Sequence, residues 1–248
     1  MKKLPQQLYA LYESQNTNGK TGREIPTSGS IMLEEARFLY QKTISEKAQI
    51  TAEAGLACGA STVAFCQAHI DNKTNGTHFS FDPMQTTAFD DAGLKLVEET
   101  NLNTPLKFVP EPSYSGVVNY LLNKNIQIDL AFIDGWHTVD YKIADVFLFD
   151  KVLKSGGIMA LHDGHFPSTI KSIKYLLRYR DYTLLWSERV KEEKFLRCKV
   201  FFLRRIIRNP YLLLQPLYWK LYWNNSSGLV MLRKQSNKEP NYDFFRNF

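Results

Sequence analysis

The chain lacks the features that mark disulfide-rich, exported and membrane-spanning proteins. Its 248 residues contain three cysteines, Cys58, Cys66 and Cys198, which form neither a CxxC pair nor a zinc-finger spacing, and this argues against a disulfide framework or structural zinc. No apolar segment follows the two lysines near the start, and no run approaches the roughly 18 apolar residues of a spanning helix. We therefore expect a cytoplasmic protein, with peripheral membrane attachment as the alternative.

An evenly basic surface, which would favour a nucleic-acid partner, is also missing. The net charge is +6, but between Arg189 and Lys234 eleven Lys or Arg residues stand against only two acids, a local balance of +9. The rest of the chain is therefore at −3. Since the positive charge belongs to one late segment, we expect no nucleic-acid partner.

The chain instead alternates short apolar runs with segments of helical spacing. This alternation predicts a single Rossmann-like α/β domain with a doubly wound, mostly parallel sheet, at residues 31–234. The first helix is predicted from Ile31 to about Ser45, with Ser30 as its N-cap. Residues 1–30, interrupted by three glycines, are predicted to be a flexible arm or lid, and residues 235–248 a loosely held tail.

Two neighbouring strands of this predicted sheet end in polar residues. The run from Asp129 to Ile133 closes on Asp134 and His137, and the run that follows Gly156–Gly157 closes on His162 and Asp163. The segment 138–153 between them has helical spacing, which makes a β-α-β unit. Because ligands bind outside the carboxyl ends of parallel strands, these four side chains are expected to face one site.

A glycine-containing turn follows the first predicted strand. Gly55 and Gly59 have GxxxG spacing instead of GxGxxG, so a dinucleotide site is weakly indicated, and a turn that needs glycine only for packing remains an alternative. Asp82 ends the second strand, where a carboxylate can accept hydrogen bonds from the ribose hydroxyls of an adenosine; a helix cap is the alternative. Ser113 or Glu111, in the third unit, is placed near an adenine edge.

Taken in order, these motifs resemble class I S-adenosylmethionine-dependent methyltransferases. The chain is most similar to the branch that carries the motifs ExGxxxGxST, FIDGxHxYxxxxxD and GGxxxxHD. These motifs correspond to residues 53–62, 132–145 and 156–163 of the chain. The resemblance implies a seven-stranded sheet and S-adenosylmethionine as the cofactor. The residues predicted to contact it are Glu53, Gly55, Ala57, Gly59, Ser61, Asp82, Ser113 and Asp134.

The resemblance also implies particular roles. Glu53 and Gly55 would lie by the methionine part of the cofactor, Ser61 near its carboxylate and Asp82 on the ribose. In catechol-type and antibiotic-sugar O-methyltransferases, Mg²⁺ is held at the positions of Asp134, His162 and Asp163. His162 departs from that pattern because Mg²⁺ prefers oxygen, so metal dependence stays open, with another divalent metal as the alternative.

His137 is the predicted general base, because imidazole titrates near neutral pH and this loop position carries a basic residue in the catechol-type relatives. The alternative is that His137 only holds the loop and that Asp134 only caps the next helix. For the pair His162 and Asp163, the alternative to metal binding is a turn-stabilising role.

The basic segment, residues 189–227, is predicted to be an insertion rich in aromatic residues. It either packs against the body or a second subunit, as in a homodimer, or contacts a membrane or an acidic substrate. The last strand is placed at 228–233, with 195–202 as the alternative.

The predicted activity is methyl transfer to a hydroxyl of a small molecule or sugar. The competing hypotheses are an NAD-linked oxidoreductase and a noncatalytic Rossmann-like module docked at a membrane. The motifs do not specify the acceptor.

Overall fold

The computed structural model describes residues 4–73, 75–185, 192–223 and 228–242. Among these residues seven strands form the central sheet, and two more form a separate antiparallel hairpin. The hairpin is β1 (Asn16–Asn18) and β2 (Glu24–Pro26). The sheet contains β3 (Ile50–Ala54), β4 (Thr77–Phe81), β5 (Leu106–Val109), β6 (Ile128–Ile133), β7 (Leu153–Leu161), β8 (Tyr182–Leu185) and β9 (Val230–Lys234).

The sheet has the order β5-β4-β3-β6-β7-β9-β8. The pairs from β5 to β7 are parallel, and β9 runs antiparallel to both β7 and β8. The predicted doubly wound, mostly parallel sheet of seven strands is therefore confirmed.

Helices cover both faces of the sheet, because the central strands are apolar on both sides. Leu130 and Phe132 of β6 belong to one buried cluster, and Ala131 and Ile133 belong to the other. The helices are α1 (Gln6–Glu13), α2 (Leu33–Ser45), α3 (Ala60–Asn72), α4 (Ala92–Glu99), α5 (Ser113–Val117), α6 (Val139–Val152), α7 (Pro167–Tyr179), α8 (Glu192–Arg208) and α9 (Pro216–Trp223). A π-helical turn spans Val118–Leu122, and a 3₁₀ turn spans Pro210–Leu214.

The chain winds in opposite directions from β3 and β6, which lie side by side, so the crevice between their carboxyl ends is the topological switch point. Gly55 follows β3 with φ +92°, and a Cβ atom there would lie 2.6 Å from the backbone oxygen of Asp134. Only glycine fits both the positive φ and this close approach. The two strand ends therefore meet because residue 55 has no side chain.

The prediction of a flexible arm at residues 1–30 is wrong for the described part, residues 4–30. Helix α1 buries Leu8 and Leu11, and the hairpin buries Ile25. The guanidinium of Arg23 donates to the backbone oxygen of Ala88 at 2.7 Å, which attaches the hairpin to the body. Leu4, Leu8 and Leu11, which are all buried, have helical spacing and precede the three glycines on which the prediction rested.

Helix α2 begins later than predicted, and Ser30 is not its cap. Met32 is the N-cap residue, and its backbone N–H donates to the Glu35 carboxylate at 2.7 Å. The acidic residue therefore satisfies the helix end that a serine hydroxyl was expected to satisfy.

The last strand is β9, close to the predicted 228–233, and the alternative at 195–202 is wrong because those residues belong to α8. Buried Phe202, Tyr218 and Leu221 pack the insertion against the body. Residues 189–191 and 224–227 of the insertion and residues 243–248 of the tail lie outside the described residues. Glu239, in the described part of the tail, contacts Arg180 at 2.5 Å.

Candidate functional site

A cavity opens at the switch point, and its volume of about 310 Å³ is in the size range of small-molecule sites. The glycine turn, the ends of β4 and β6 and the start of α5 form its walls. The N-terminal segment adds a further wall. The polar or mechanistically relevant residues that line it are Ser30, Gly55, Ala57, Ser61, Asp82, Ser113, Asp134, His137 and Tyr141.

Asp82 holds the glycine turn in place from the end of β4. Its Oδ2 accepts hydrogen bonds from the backbone N–H groups of Leu56 and Ala57, at 3.0 and 2.9 Å, and from the side chain of Gln85 at 3.1 Å. Its Oδ1 accepts one from the backbone of Met84 at 2.7 Å and keeps a second lone pair. Asp82 therefore shapes the turn and still offers an acceptor at the cavity.

Glu53 is absent from the lining of the cavity, and the role implied for it beside the cofactor stays a prediction. Side chains alternate along a strand, and Ala54 faces the cavity while Glu53 faces the opposite layer. There its carboxylate accepts from Ser80 at 2.8 Å and lies 3.1 Å from His78. Burial opposes its ionisation, but the charge and hydrogen bond of His78 outweigh this and lower the pKa of Glu53.

The other residues predicted in the turn divide between the cavity and the core. Ala57 and Ser61 line the cavity, whereas Gly59 lies outside the lining as the N-cap of α3, with φ +85°. The predicted adenine-edge candidates divide in the same way. Ser113 lines the cavity, and Glu111 instead accepts hydrogen bonds from Ser115 and Asn119.

The hydroxyl of Ser113 donates to Asp145, which lies on α6 below the cavity floor. Burial dominates the environment of Asp145 and raises its pKa to about 6, despite the Ser113 hydrogen bond and the positive charge of Lys142. The second carboxylate oxygen, Oδ2, is buried without a hydrogen-bond partner among the described residues. An ionised carboxylate at this position is costly.

Asp134, His162 and Asp163 meet at the carboxyl ends of β6 and β7, as predicted. His162 Nδ1 lies 3.0 Å from Asp134 Oδ1 and 3.8 Å from Asp163 Oδ1. On its other side, His162 Nε2 lies 3.2 Å from Oε2 of the buried Glu35. Burial opposes a charge on the ring, but the Asp134 and Glu35 carboxylates outweigh this and raise the pKa of His162 well above its ordinary value.

Glu35 is the member of this cluster that sequence reasoning missed. In the sequence Glu35 is only an acidic residue in the first turn of a helix, a position that the helix dipole favours. The contact with His162 joins residues 127 positions apart, and no local pattern signals such a pairing.

His137 lies at the cavity wall with 49% of its side chain exposed, and its Nδ1 is 3.2 Å from Asp163 Oδ2. The hydroxyl of Ser168 donates to the His137 backbone oxygen at 3.2 Å and holds this loop. Burial opposes ionisation of Asp163, but the hydrogen bond and charge of His162 and the charges of His165 and His137 lower the pKa of Asp163 well below its usual range. An ionised Asp163 thus orients an accessible imidazole.

Residues 52–164 match a family described as a methyltransferase domain. No curated protein is recognisably similar in sequence. Solved structures with the same fold include the cofactor-bound protein Rv0187 from MTB, at 10% identity and TM-score 0.64, covering 94% of this chain and 91% of that one. The SAH-bound methyltransferase PaMTH1 of Podospora anserina has 14% identity and TM-score 0.60, covering 94% and 89%.

An O-methyltransferase from Bacillus cereus in complex with SAH has 15% identity and TM-score 0.56, covering 75% of this chain and 85% of its own. Identities of this size show a shared fold, and the match over residues 52–164 adds the domain type. The chain therefore shares the fold of these methyltransferases, and its residues 52–164 resemble a methyltransferase domain.

Proposed function

We propose that this protein transfers the methyl group of S-adenosylmethionine to a hydroxyl oxygen of a small molecule or sugar, with His137 as the general base. The contact between His137 and Asp163 at the cavity wall carries the proposal. Asp163 orients the half-exposed imidazole of His137, and His137 lines the same cavity as the glycine turn and Asp82.

The carboxylate of Asp163 only accepts hydrogen bonds, so it favours the tautomer of His137 with hydrogen on Nδ1 and leaves Nε2 as the proton acceptor. In the transfer the hydroxyl oxygen forms a bond to the methyl carbon while the carbon–sulfur bond breaks. The sulfonium becomes a neutral thioether, and the hydroxyl proton passes to Nε2. Positioned proton removal of this kind typically contributes about 10²–10⁴-fold to the rate.

Asp82 and the turn are suited to hold the cofactor. The free lone pair on Asp82 Oδ1 can accept a hydrogen bond from a ribose hydroxyl, and Ala57 and Ser61 line the same cavity. Since Asp82 also fixes two backbone N–H groups of the turn, its position is set before any ligand arrives. This preorganisation lowers the ordering cost of binding.

The cluster at the ends of β6 and β7 also fits a divalent metal ion. Asp134, His162 and Asp163 each offer one ligand atom, and these atoms lie within 4.8 Å of one another. Glu35 stands where an outer carboxylate would fix the tautomer of a metal-bound His162, and its Oε1 is buried without a hydrogen-bond partner among the described residues. One imidazole with two carboxylates suits Mn²⁺, Fe²⁺ or Zn²⁺ better than Mg²⁺. When bound, such an ion supplies Lewis-acid polarisation of the acceptor oxygen.

The cofactor is tested by calorimetry with S-adenosylhomocysteine and, separately, with NADH. We expect the first to bind and the second not to bind. Absence of S-adenosylhomocysteine binding would refute the methyltransferase proposal, and NADH binding would favour the oxidoreductase.

The base is tested with His137→Ala and turnover of labelled cofactor on a panel of hydroxylated acceptors. We expect kcat to fall about 10²–10⁴-fold, while the Kd for S-adenosylhomocysteine changes by less than about twofold, because Asp82 and the turn are intact. Lys171→Ala, an exposed change on α7, is the control. Unchanged turnover in His137→Ala contradicts the mechanism.

A further inference from the structure

An apolar stripe lies exposed on the insertion. Its members come from α8, the 3₁₀ turn and α9, and the most exposed are Ile207 at 80%, Leu214 at 77% and Trp223 at 72%. The stripe is defined here by Leu203, Ile207, Tyr211, Leu213, Leu214 and Trp223. Single exposed apolar residues are ordinary on protein surfaces, but several on consecutive elements indicate a contact surface.

The geometry of α8 makes its exposed side continuous. At 100° per residue, Val200, Leu203 and Ile207 fall within an arc of roughly 60°, and all three are exposed. Phe202 projects from the opposite side and is buried against Tyr218, with ring centroids 5.1 Å apart. The helix is thus attached to the body by one face and presents the other.

Cations border the stripe, and acids are missing from it. Arg204 and Arg208 are exposed on the same side of α8, next to Leu203 and Ile207. From Lys194 to Lys234 the sequence contains no Asp or Glu. The segment that carries the stripe therefore combines aliphatic and aromatic side chains with positive charge alone.

The combination of apolar side chains and positive charge favours an anionic lipid surface over a second copy of the chain. A second copy that used the same stripe would bring two patches of like charge together, each with Arg204 and Arg208, since a twofold interface pairs a patch with itself. Aliphatic residues with Trp, Tyr and Arg beside them suit the boundary between headgroups and acyl chains, and anionic headgroups attract the cations. Within the described ranges the helices are too short or too polar to span a bilayer, so contact would be at the surface.

We propose that the apolar stripe and its flanking arginines dock this protein on the surface of a bilayer that contains anionic lipid. The docking elements are coupled to the site by direct packing. The Arg205 guanidinium lies 3.8 Å from the centre of the Phe166 ring, and that ring contacts His137 at 5.3 Å. The helix that carries the stripe therefore packs, through its other face, beside the loop of the proposed base.

The test is sedimentation of the full chain with vesicles of phosphatidylcholine alone and with about 30% phosphatidylglycerol. We expect binding only to the anionic vesicles and weakening as salt rises. Arg204→Ala should lower the apparent affinity about fivefold, since each cation near such a surface contributes about 1 kcal/mol. Ile207→Glu should lower it about tenfold or more, because it places a carboxylate in the contact.

Matched controls lie on other faces of the molecule. Lys107→Ala, on the edge strand β5, removes one exposed cation, and Ile70→Glu, on α3, replaces an apolar side chain that is 45% exposed. Both should bind vesicles like the unmodified chain. Thermal unfolding and S-adenosylhomocysteine binding of each variant exclude loss of fold as the cause.

Two results would overturn the proposal. One is equal binding to both kinds of vesicle, or equal binding by Ile207→Glu and the unmodified chain. The other is a lipid-free dimer, detected by light scattering, that Ile207→Glu dissociates while vesicles bind neither form; a second copy would then be the occupant.

Discussion

Replacing Asp145 by Asn should stabilise the protein at neutral pH. The carboxyl is buried, its Oδ2 has no hydrogen-bond partner among the described residues, and its pKa is raised to about 6 from an ordinary 3.8. The difference corresponds to roughly 3 kcal/mol between the two protonation states, at about 1.4 kcal/mol per tenfold change in the equilibrium. Asn is neutral at every pH and avoids this cost.

The direction of the pH dependence follows from which state binds the proton more tightly. Between about pH 4 and pH 6 the folded chain holds the Asp145 proton and the unfolded chain has released it. The contribution of protonated Asp145 to the free energy of unfolding is therefore fully present below about pH 4 and is lost as the pH rises through about 6. The advantage of Asp145→Asn over the unmodified chain should grow by roughly 2–3 kcal/mol across this window and then level off.

Urea unfolding of both proteins at several pH values measures this difference, because other titrating groups cancel in the comparison. Asp150→Asn is the matched control on the same helix. The Asp150 carboxylate accepts from the Tyr182 hydroxyl at 2.6 Å and lies 3.3 Å from the Lys234 ammonium. Its loss should destabilise the fold by roughly 3 kcal/mol. A difference for Asp145→Asn that stays constant or shrinks as the pH rises would refute the reasoning.

Three further changes test the site. Gly55→Ala should lower stability by roughly 2 kcal/mol or more in thermal unfolding, because residue 55 has positive φ and its new Cβ would meet the Asp134 backbone; unchanged unfolding would contradict the close approach. Asp82→Ala should weaken S-adenosylhomocysteine binding at least about tenfold in calorimetry, since two backbone amides of the turn lose their acceptor; an unchanged Kd would exclude a role in the cofactor site. Glu35→Gln should weaken Mn²⁺ binding about 10–100-fold with the cofactor Kd unchanged, and Mn²⁺ should bind more tightly than Mg²⁺ in the unmodified chain; equal Mn²⁺ affinity in both proteins would show that Glu35 does not support His162.

The sheet and the strand-end residues could be predicted because their signals are local. Asp134 and Asp163 follow apolar runs of strand length, and the carboxyl ends of parallel strands necessarily share an edge. The contact between His137 and Asp163 could not be predicted, because it depends on loop conformation. Asp163 adopts φ +55°, and nothing in the spacing signals that geometry.

Two predictions differ from the described positions for different physical reasons. The family motif implies that Glu53 lies beside the cofactor, whereas strand alternation places its side chain on the opposite face of β3 from Ala54, which lines the cavity. The flexible arm was predicted from glycine content, whereas a few apolar side chains, Leu4, Leu8 and Leu11, are enough to dock it on a large body. Glu35 shows a third limit, since its partner is 127 residues away.

Glu35 also ties the start of α2 to the carboxyl edge of the sheet. One carboxylate accepts the backbone N–H of Met32 and contacts His162, so the helix end and the cluster share a single anchor. Residues 52–164, the portion that carries the recognisable motifs, contain neither this anchor nor strand β9. A fragment trimmed to those borders would leave His162 without Glu35 and the β7 edge without β9, so a fragment that keeps this cluster intact must extend beyond residues 52–164 on both sides.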